Sequence, residues 1–194
     1  MQASTFEVPR ELTLRVTQAE FAAIASVNHD LQLELTANGE LIVNPPTGSE
    51  PSRQNMSITA QLWLWAESNP TLGLAFESSG GFELPNGAIR SPDASWVSRN
   101  RWDALSQGEK EDFAPLCPDF VVELRSKSDR LNTLQDKMQE YIDNGARLGW
   151  LIDAQNKKVE VYSQGKEVEV LDQPTQLSGE GVLPVFTLSL RNIW

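Results

Sequence analysis

Pro118-Asp119-Phe120-Val121-Val122-Glu123-Leu124-Arg125 is an apolar, β-branched run introduced by a proline, the pattern of a buried strand. A strand sends alternate side chains to opposite faces, so Asp119, Val121, Glu123 and Arg125 share one face and Phe120, Val122 and Leu124 the other. An acid and a cation two residues apart on such a strand are costly unless they are paired, exposed or ligated. Downstream, Ser128 or Asp129 is placed to cap a helix that ends near Asn144-Gly145. At about 100° per residue, Arg130 and Lys137 line one edge of the helix face that carries Leu131, Leu134, Met138 and Tyr141. Packed on the sheet, that edge can overhang Glu123; in the alternative, both stems cover apolar surface with their charged heads in water.

Working outward, Thr17-Gln18-Ala19-Glu20 is a capping-box signal for a first helix containing Phe21, Ile24 and Ala25. Leu31, Leu33 and Leu35 alternate with polar residues, and Asn38-Gly39 turns the chain into Leu41-Ile42-Val43, which predicts a hairpin. A second helix is expected after Pro51, with Met56, Ala60 and Trp63 on its buried stripe, Leu62 and Trp65 beside it, and a stop at Asn69-Pro70. Strands follow over 72–77 and 82–84, with turns at Gly80-Gly81 and Asn86-Gly87, and then a strand containing Asp93 to Val97. Residues 99–116 read as a polar excursion with a helical turn or two around Trp102 and Leu105. After the third helix come strands over 148–152, 159–162 and 168–171, turning at Gln155-Asn156 and Gln164-Gly165. The class is α/β of the α+β type: a mixed central sheet flanked by helices, with an N-terminal helix and hairpin.

The 194 residues suit one domain spanning 1–194 with long embellishments, and 40% hydrophobic content is enough to bury a core. The start of the chain, residues 1–15, carries neither a basic nor an apolar leader pattern, and no run of about 18 apolar residues is present, so a cytoplasmic protein with no membrane partner is expected. A single cysteine, Cys117, excludes an internal disulfide, and a single histidine, His29, excludes His-rich metal centres. His29 has no evident partner and reads as a surface residue; Cys117 reads as packing before the strand. The ligand inventory is therefore carboxylate, with 27 Asp plus Glu, which favours a hard cation such as Mg²⁺ or Mn²⁺ if a metal is bound. A net charge of −11 argues against general coating of nucleic acid. Between Arg125 and Lys137 the balance reverses locally, with Arg125, Lys127, Arg130 and Lys137 against Asp129 and Asp136. Most of the six tryptophans sit in apolar runs and read as core. There is no phosphate-binding loop of the GxxxxGK[ST] type and no GxGxxG.

Asp93, after Ser91-Pro92, could supply a second carboxylate beside Glu123. Two carboxylates at adjacent strand positions with a cation nearby can hold a divalent ion and orient water against a phosphodiester; a structural ion pair produces the same pattern. Ser91-Pro92-Asp93, the block Pro118 to Arg130, Lys137-Met-Gln-Glu-Tyr141 and Asn144 to Asp153 resemble a widespread bacterial family of restriction endonuclease-like proteins in the PD-(D/E)XK nuclease superfamily. The resemblance extends from the Glu34–Glu40 hairpin to the terminal Val182–Leu190 run. It implies a restriction endonuclease-like core, a Mg²⁺ (or Mn²⁺) cofactor, DNA as substrate and a possible homodimer. By the resemblance, Asp93 is the aspartate of the first half-motif and Glu123 the acid of the second, and Asp93, Glu123 and Leu124 are the metal-holding positions.

The superfamily pattern has lysine two residues after the acid, where this chain has Arg125. Arginine is a fixed charge. Lys137 matches a position from which a helix lysine substitutes in this family, and burial could bring its pKa down toward proton transfer. Catalytic candidates are thus Asp93, Glu123, Arg125 and Lys137. Glu34, opposite Leu31, Leu33 and Leu35, is expected to face solvent, although an upstream acid often helps bind metal in this superfamily. A catalytically silent binding module and a two-carboxylate glycoside hydrolase that needs no metal remain as alternatives.

Overall fold

Thr17 caps α1 (Gln18–Ala25): its hydroxyl accepts from Glu20 N while the Glu20 carboxylate accepts from Thr17 N, as the capping box predicts. The computed structural model describes residues 13–179 and 181–194; most of the stretch in which no leader pattern was read lies outside the described residues. The predicted hairpin pairs β1 (Gln32–Leu35) with β2 (Leu41–Asn44) and turns through Gly39 at φ +78°. Then follow α2 (Ser49–Ser68), β3 (Gly73–Glu77), β4 (Phe82–Glu83), β5 (Ile89–Arg90) and β6 (Ala94–Ser98). The polar excursion contains two short helices, α3 (Arg99–Asp103) and α4 (Gln107–Glu111), before β7 (Phe120–Leu124) and α5 (Leu131–Asp143). The chain continues through β8 (Leu148–Asp153), β9 (Lys158–Ser163) and β10 (Glu169–Asp172), then the pair β11 (Gln176–Ser178) and β12 (Thr187–Ser189).

β7 lies inside a six-stranded mixed sheet of order β10-β9-β8-β7-β6-β3. It runs parallel to β8, with α5 as the crossover that a parallel pair requires, and antiparallel to β6. Both faces of β7 are covered. Phe120, Val122 and Leu124 pack with Ile58, Leu62 and Ala66 of α2 and with Phe186 and Leu188 near the end of the chain. Val121, on the other face, packs with Met138 and Tyr141 of α5. Helix, sheet and helix thus form three layers, which is why β7 reads as an almost unbroken apolar run. A second sheet of order β2-β1-β5-β4 shares a smaller core with α1, made of Phe21, Leu33, Leu35 and Ile89.

Three expectations about helices are corrected. In α2, Ile58, Leu62 and Ala66 form the buried stripe, whereas Met56 and Trp63 are 68% and 51% exposed. Its second half, from Ile58 to Ala66, is apolar on most sides, so periodicity there does not choose a face; contact with the sheet does. It also begins at Ser49, before Pro51, because proline is tolerated in the first turn where its missing N–H has no intrahelical acceptor. In α5 the N-cap is Arg130, without a side-chain cap, because the Asp129 carboxylate accepts from Ser126 N and closes the preceding loop. Gly145 takes φ +111° after α5, as its position predicts. Among the tryptophans, Trp96 and Trp150 are buried and Trp63 is exposed.

This arrangement predicts that Leu62→Ala costs about 2–5 kcal/mol of stability, whereas Met56→Ala and Trp63→Ala stay within about 0.5 kcal/mol of the parent in urea denaturation.

Candidate functional site

The α5 face of the sheet receives Glu123 from β7, Lys137 and Tyr141 from successive turns of α5, Glu34 from β1 and Arg90 from β5. Lys137 Nζ lies 2.8 Å from Glu123 Oε1 and 2.9 Å from Glu34 Oε1. The Tyr141 hydroxyl donates to Glu123 Oε1 at 3.0 Å. Arg90 donates to Glu34 at 3.2 Å and to Glu140 at 2.6 Å, and Ser91 N donates to Glu34 at 3.1 Å. Asp93 immediately precedes β6. Ala94 pairs with Val122, so one further step in the antiparallel register sets Asp93 opposite Glu123. Its Oδ2 accepts from Leu124 N at 2.7 Å and its Oδ1 from Asn55 Nδ2 of α2 at 3.0 Å.

Glu34, Arg125 and Arg130 are placed differently from the sequence reading, and Lys137 takes the first of its two readings, over Glu123. Glu34 is 3% exposed rather than solvated, because β1 lies against β5 and α5 and hands the carboxylate to Arg90 and Lys137. Lys137 does not send its head into water; only 13% of its side chain is exposed and its ammonium is held between two carboxylates. Arg125, although it follows Glu123 on the strand, pairs with Asp153 at 2.6 Å and donates to Asp129 O. Arg130 is exposed at the helix start and has left the edge on which Lys137 sits. Asp93, Glu123, Leu124 and Lys137 are therefore brought together and Arg125 is turned aside. Tyr141, Arg90, Glu140 and Asn55 belong to the cluster although the sequence reading did not assign them to it. Only Tyr141 carried a signal, being one helical turn after Lys137.

The electrostatics follow from water exclusion. Burial pushes the Glu123 carboxyl up, with the charges of Asp93 and Glu34 adding to it and Lys137 opposing, and leaves it at about 7. Burial likewise raises Asp93, partly offset by the bond from Leu124 N. Burial would raise Glu34 too, but Lys137, Arg90 and the Ser91 N–H outweigh it and hold this carboxyl below its usual range. For Lys137 burial lowers the pKa, yet Glu123 and Glu34 win and hold the ammonium above its ordinary value. The expectation that burial prepares Lys137 for proton transfer is thereby corrected: with these partners it is a fixed cation. Glu34, Asp93, Glu123 and Glu140 against Arg90 and Lys137 leave a formal charge of −2 when all are ionised. Cys117, fully buried, has its thiol pushed up to about 12 by desolvation and stays protonated.

Among the described residues, no three His, Cys, Asp or Glu side chains group so as to hold a metal ion by themselves. Magnesium needs fewer: it is commonly held by one or two carboxylates while keeping several waters. Asp93 and Glu123 fit that donor set, with hard oxygen atoms, a charge deficit matching a divalent cation, and raised carboxyl groups that a cation would ionise. Two depressions of about 380 and 390 Å³ lie beside α5 and β9, lined by residues other than Asp93 and Glu123.

The profile of the family described as "Uma2: Putative restriction endonuclease" matches residues 18–191. Among solved structures, the chain is similar to the 1.96 Å crystal structure of a "putative nuclease belonging to DUF820" from Anabaena variabilis ATCC 29413, with a TM-score of 0.72 and 20% identity over 83% of this chain and 88% of that one. That likeness carries the fold, a restriction endonuclease-like α/β arrangement. No curated protein matches. No helix among the described residues is long and apolar enough to cross a membrane.

Because the Glu123 carboxyl is raised from 4.5 to about 7, the folded protein binds its proton more tightly than the unfolded chain does. The stability linked to that proton is present in full below about pH 4.5 and is lost as pH rises toward 7. In EDTA, the melting temperature of the parent relative to Glu123→Gln should fall between about pH 5 and 7.5; parallel melting curves for the two proteins would refute this.

Proposed function

The chain belongs to the Uma2 family of restriction endonuclease-like proteins, and from that premise we propose that it is a metal-dependent endonuclease that hydrolyses DNA phosphodiester bonds at Asp93, Glu123 and Lys137. The observation that carries the proposal is the Lys137–Glu123 contact of 2.8 Å beside Asp93, in a buried cluster two positive charges short of neutrality. Asp93, Glu123 and the main chain of Leu124 would hold Mg²⁺ or Mn²⁺. When bound, such a cation supplies Lewis acidity toward the phosphate and a water activated for attack.

The chain's own groups do the rest. Leu124 N and Asn55 fix both oxygens of Asp93, so its carboxylate is oriented before any ligand arrives. Tyr141 and Lys137 fix Glu123 Oε1 in the same way. Lys137, permanently charged, stabilises negative charge building on a phosphate near Glu123. Arg125, bound to Asp153 and the Asp129 carbonyl, holds the loop after β7 in place. Exposed cations at the ends of β7 and β8 suit a polyanion despite the acidic total: Lys127 and Arg130 follow β7, and Lys157 and Lys158 follow β8, and parallel pairing puts all four at the Glu123 end of the sheet.

Supercoiled plasmid incubated with Mg²⁺ or Mn²⁺ tests the proposal, with Glu123→Ala as the inactive control. Lys137→Ala should lower turnover at least about a hundredfold, whereas Arg125→Ala should lower the melting temperature and change turnover less than about tenfold. An active Lys137→Ala beside a dead Arg125→Ala would transfer the role to Arg125. Asp93→Asn should abolish cleavage and leave the melting temperature unchanged or higher, since an amide there can keep a bond from Leu124 N while removing a charge. DNA binding without metal-dependent cleavage by the parent would identify a silent member of the fold.

Removing two phosphate contacts with Lys127→Ala/Arg130→Ala should weaken DNA binding uniformly across sequences and reduce the slope of log K against log salt by about 2; an unchanged slope would place the DNA elsewhere.

A further inference from the structure

Asn55 of α2 touches Asp93, and its side-chain oxygen takes no part in that contact. Its Nδ2 donates to Asp93 Oδ1 at 3.0 Å. Its Oδ1 is shut off from solvent and has no hydrogen-bond partner among the described residues. The assignment of the amide is set by its neighbour: turned over, the carbonyl would face an ionised carboxylate, oxygen against oxygen. The free group is therefore an acceptor, held rigidly in the middle of a helix beside one of the two carboxylates placed to hold a cation. Buried amide oxygens are almost always satisfied, and this one differs from the other two buried atoms without a partner, Ser95 Oγ and Trp96 Nε1, in lying on a side chain bound to Asp93.

The chemistry of that partner follows from the donor count. With two side-chain carboxylates, a Mg²⁺ or Mn²⁺ ion keeps several waters, and each of those waters is a strong donor in need of acceptors. We propose that Asn55 is a positioning residue for the cation: its Oδ1 accepts a hydrogen bond from a water carried by the ion at Asp93, while its amide nitrogen orients the Asp93 carboxylate. This rests on the metal-dependent reading above. One short side chain thereby serves two elements of the site at once. Alanine serves neither, and aspartate keeps an acceptor toward the water but places a charge against Asp93.

Mn²⁺ binding measured by isothermal titration calorimetry on the full chain without DNA tests the proposal, with melting temperatures in EDTA alongside. Asn55→Ala should bind Mn²⁺ about 10- to 100-fold more weakly than the parent. Asn55→Asp should recover most of the affinity while melting lower in EDTA, because the new carboxylate repels Asp93 until the ion arrives. Gln61→Ala, which removes a purely structural contact from α2 to the Ser189 carbonyl, should lower the melting temperature without changing Mn²⁺ affinity. Equal Mn²⁺ affinity in the parent, Asn55→Ala and Asn55→Asp would overturn the role of Asn55 and leave the metal reading standing. Unchanged Mn²⁺ affinity with weakened binding of an oligonucleotide would also overturn it, by assigning the orphan acceptor to the substrate. A parent that binds no Mn²⁺ would overturn the metal reading itself and this inference with it.

Discussion

The ammonium of Lys137 is clasped by Glu34 and Glu123, and three separate parts of the chain meet at that charge: the N-terminal hairpin, the central strand of the large sheet and the crossover helix. None of the three groups tolerates burial alone. An uncompensated buried charge costs several kcal/mol, so breaking this pair by removing one partner is far more damaging than its net contribution to stability suggests. The hairpin is therefore held against α5 by electrostatic necessity as much as by the Phe21, Leu33, Leu35 and Ile89 core beneath it. Arg90 and Ser91 N complete the coordination of Glu34, and Arg90 passes the network on to Glu140.

The same cluster is incompletely balanced, and the imbalance has a direction. On the Glu34 side the cations win and the carboxyl is driven below its usual range. On the Glu123 and Asp93 side desolvation wins and both are driven up. The deficit thus gathers at the junction of β6 and β7, where the sheet edge, the loop after β7 and the first half of α2 converge. The Glu123 carboxyl, raised to about 7, is where a proton relieves that deficit most cheaply. A proton shared into this cluster near neutral pH thus offsets part of its excess negative charge.

The three-layer packing makes this arrangement possible. Because α5 is the crossover between two parallel strands, it must lie directly over β7, and its inward residues must meet whatever β7 projects on that face. Val121 meets Met138 and Tyr141, and one step further along the strand Glu123 meets Lys137 and the Tyr141 hydroxyl. Apolar packing and the polar site are consecutive contacts of one helix on one strand. The ring of Tyr141 belongs to the core and its hydroxyl to the site.

Strand alternation, capping boxes, turn glycines and the apolar run around Glu123 are local properties, and the sequence alone determined them: the strand at 120–124, the hairpin, the helix ending before Gly145 and the mixed class of the sheet. The facing of Glu123 and the placing of Lys137 on the inward edge of the next helix were legible too, since both depend only on periodicity within one element. Partners lay beyond local reach. Which face α2 buries was undecided because its second half, Ile58 to Ala66, is apolar on most sides, and Arg125 could be read as the neighbour of Glu123 because Asp153, from the adjacent strand, is 28 residues away. Glu34 looked solvent-facing because alternation within β1 says only that it lies opposite Leu33 and Leu35, and not that Arg90 and Lys137 wait there. Nor does any periodicity relate Asn55 to Asp93, 38 residues later on another layer. Those contacts, and with them every shifted proton affinity in the site, arise only when separate elements exclude water together, because desolvation and ion pairing depend on what surrounds a charge and not on its place in the chain.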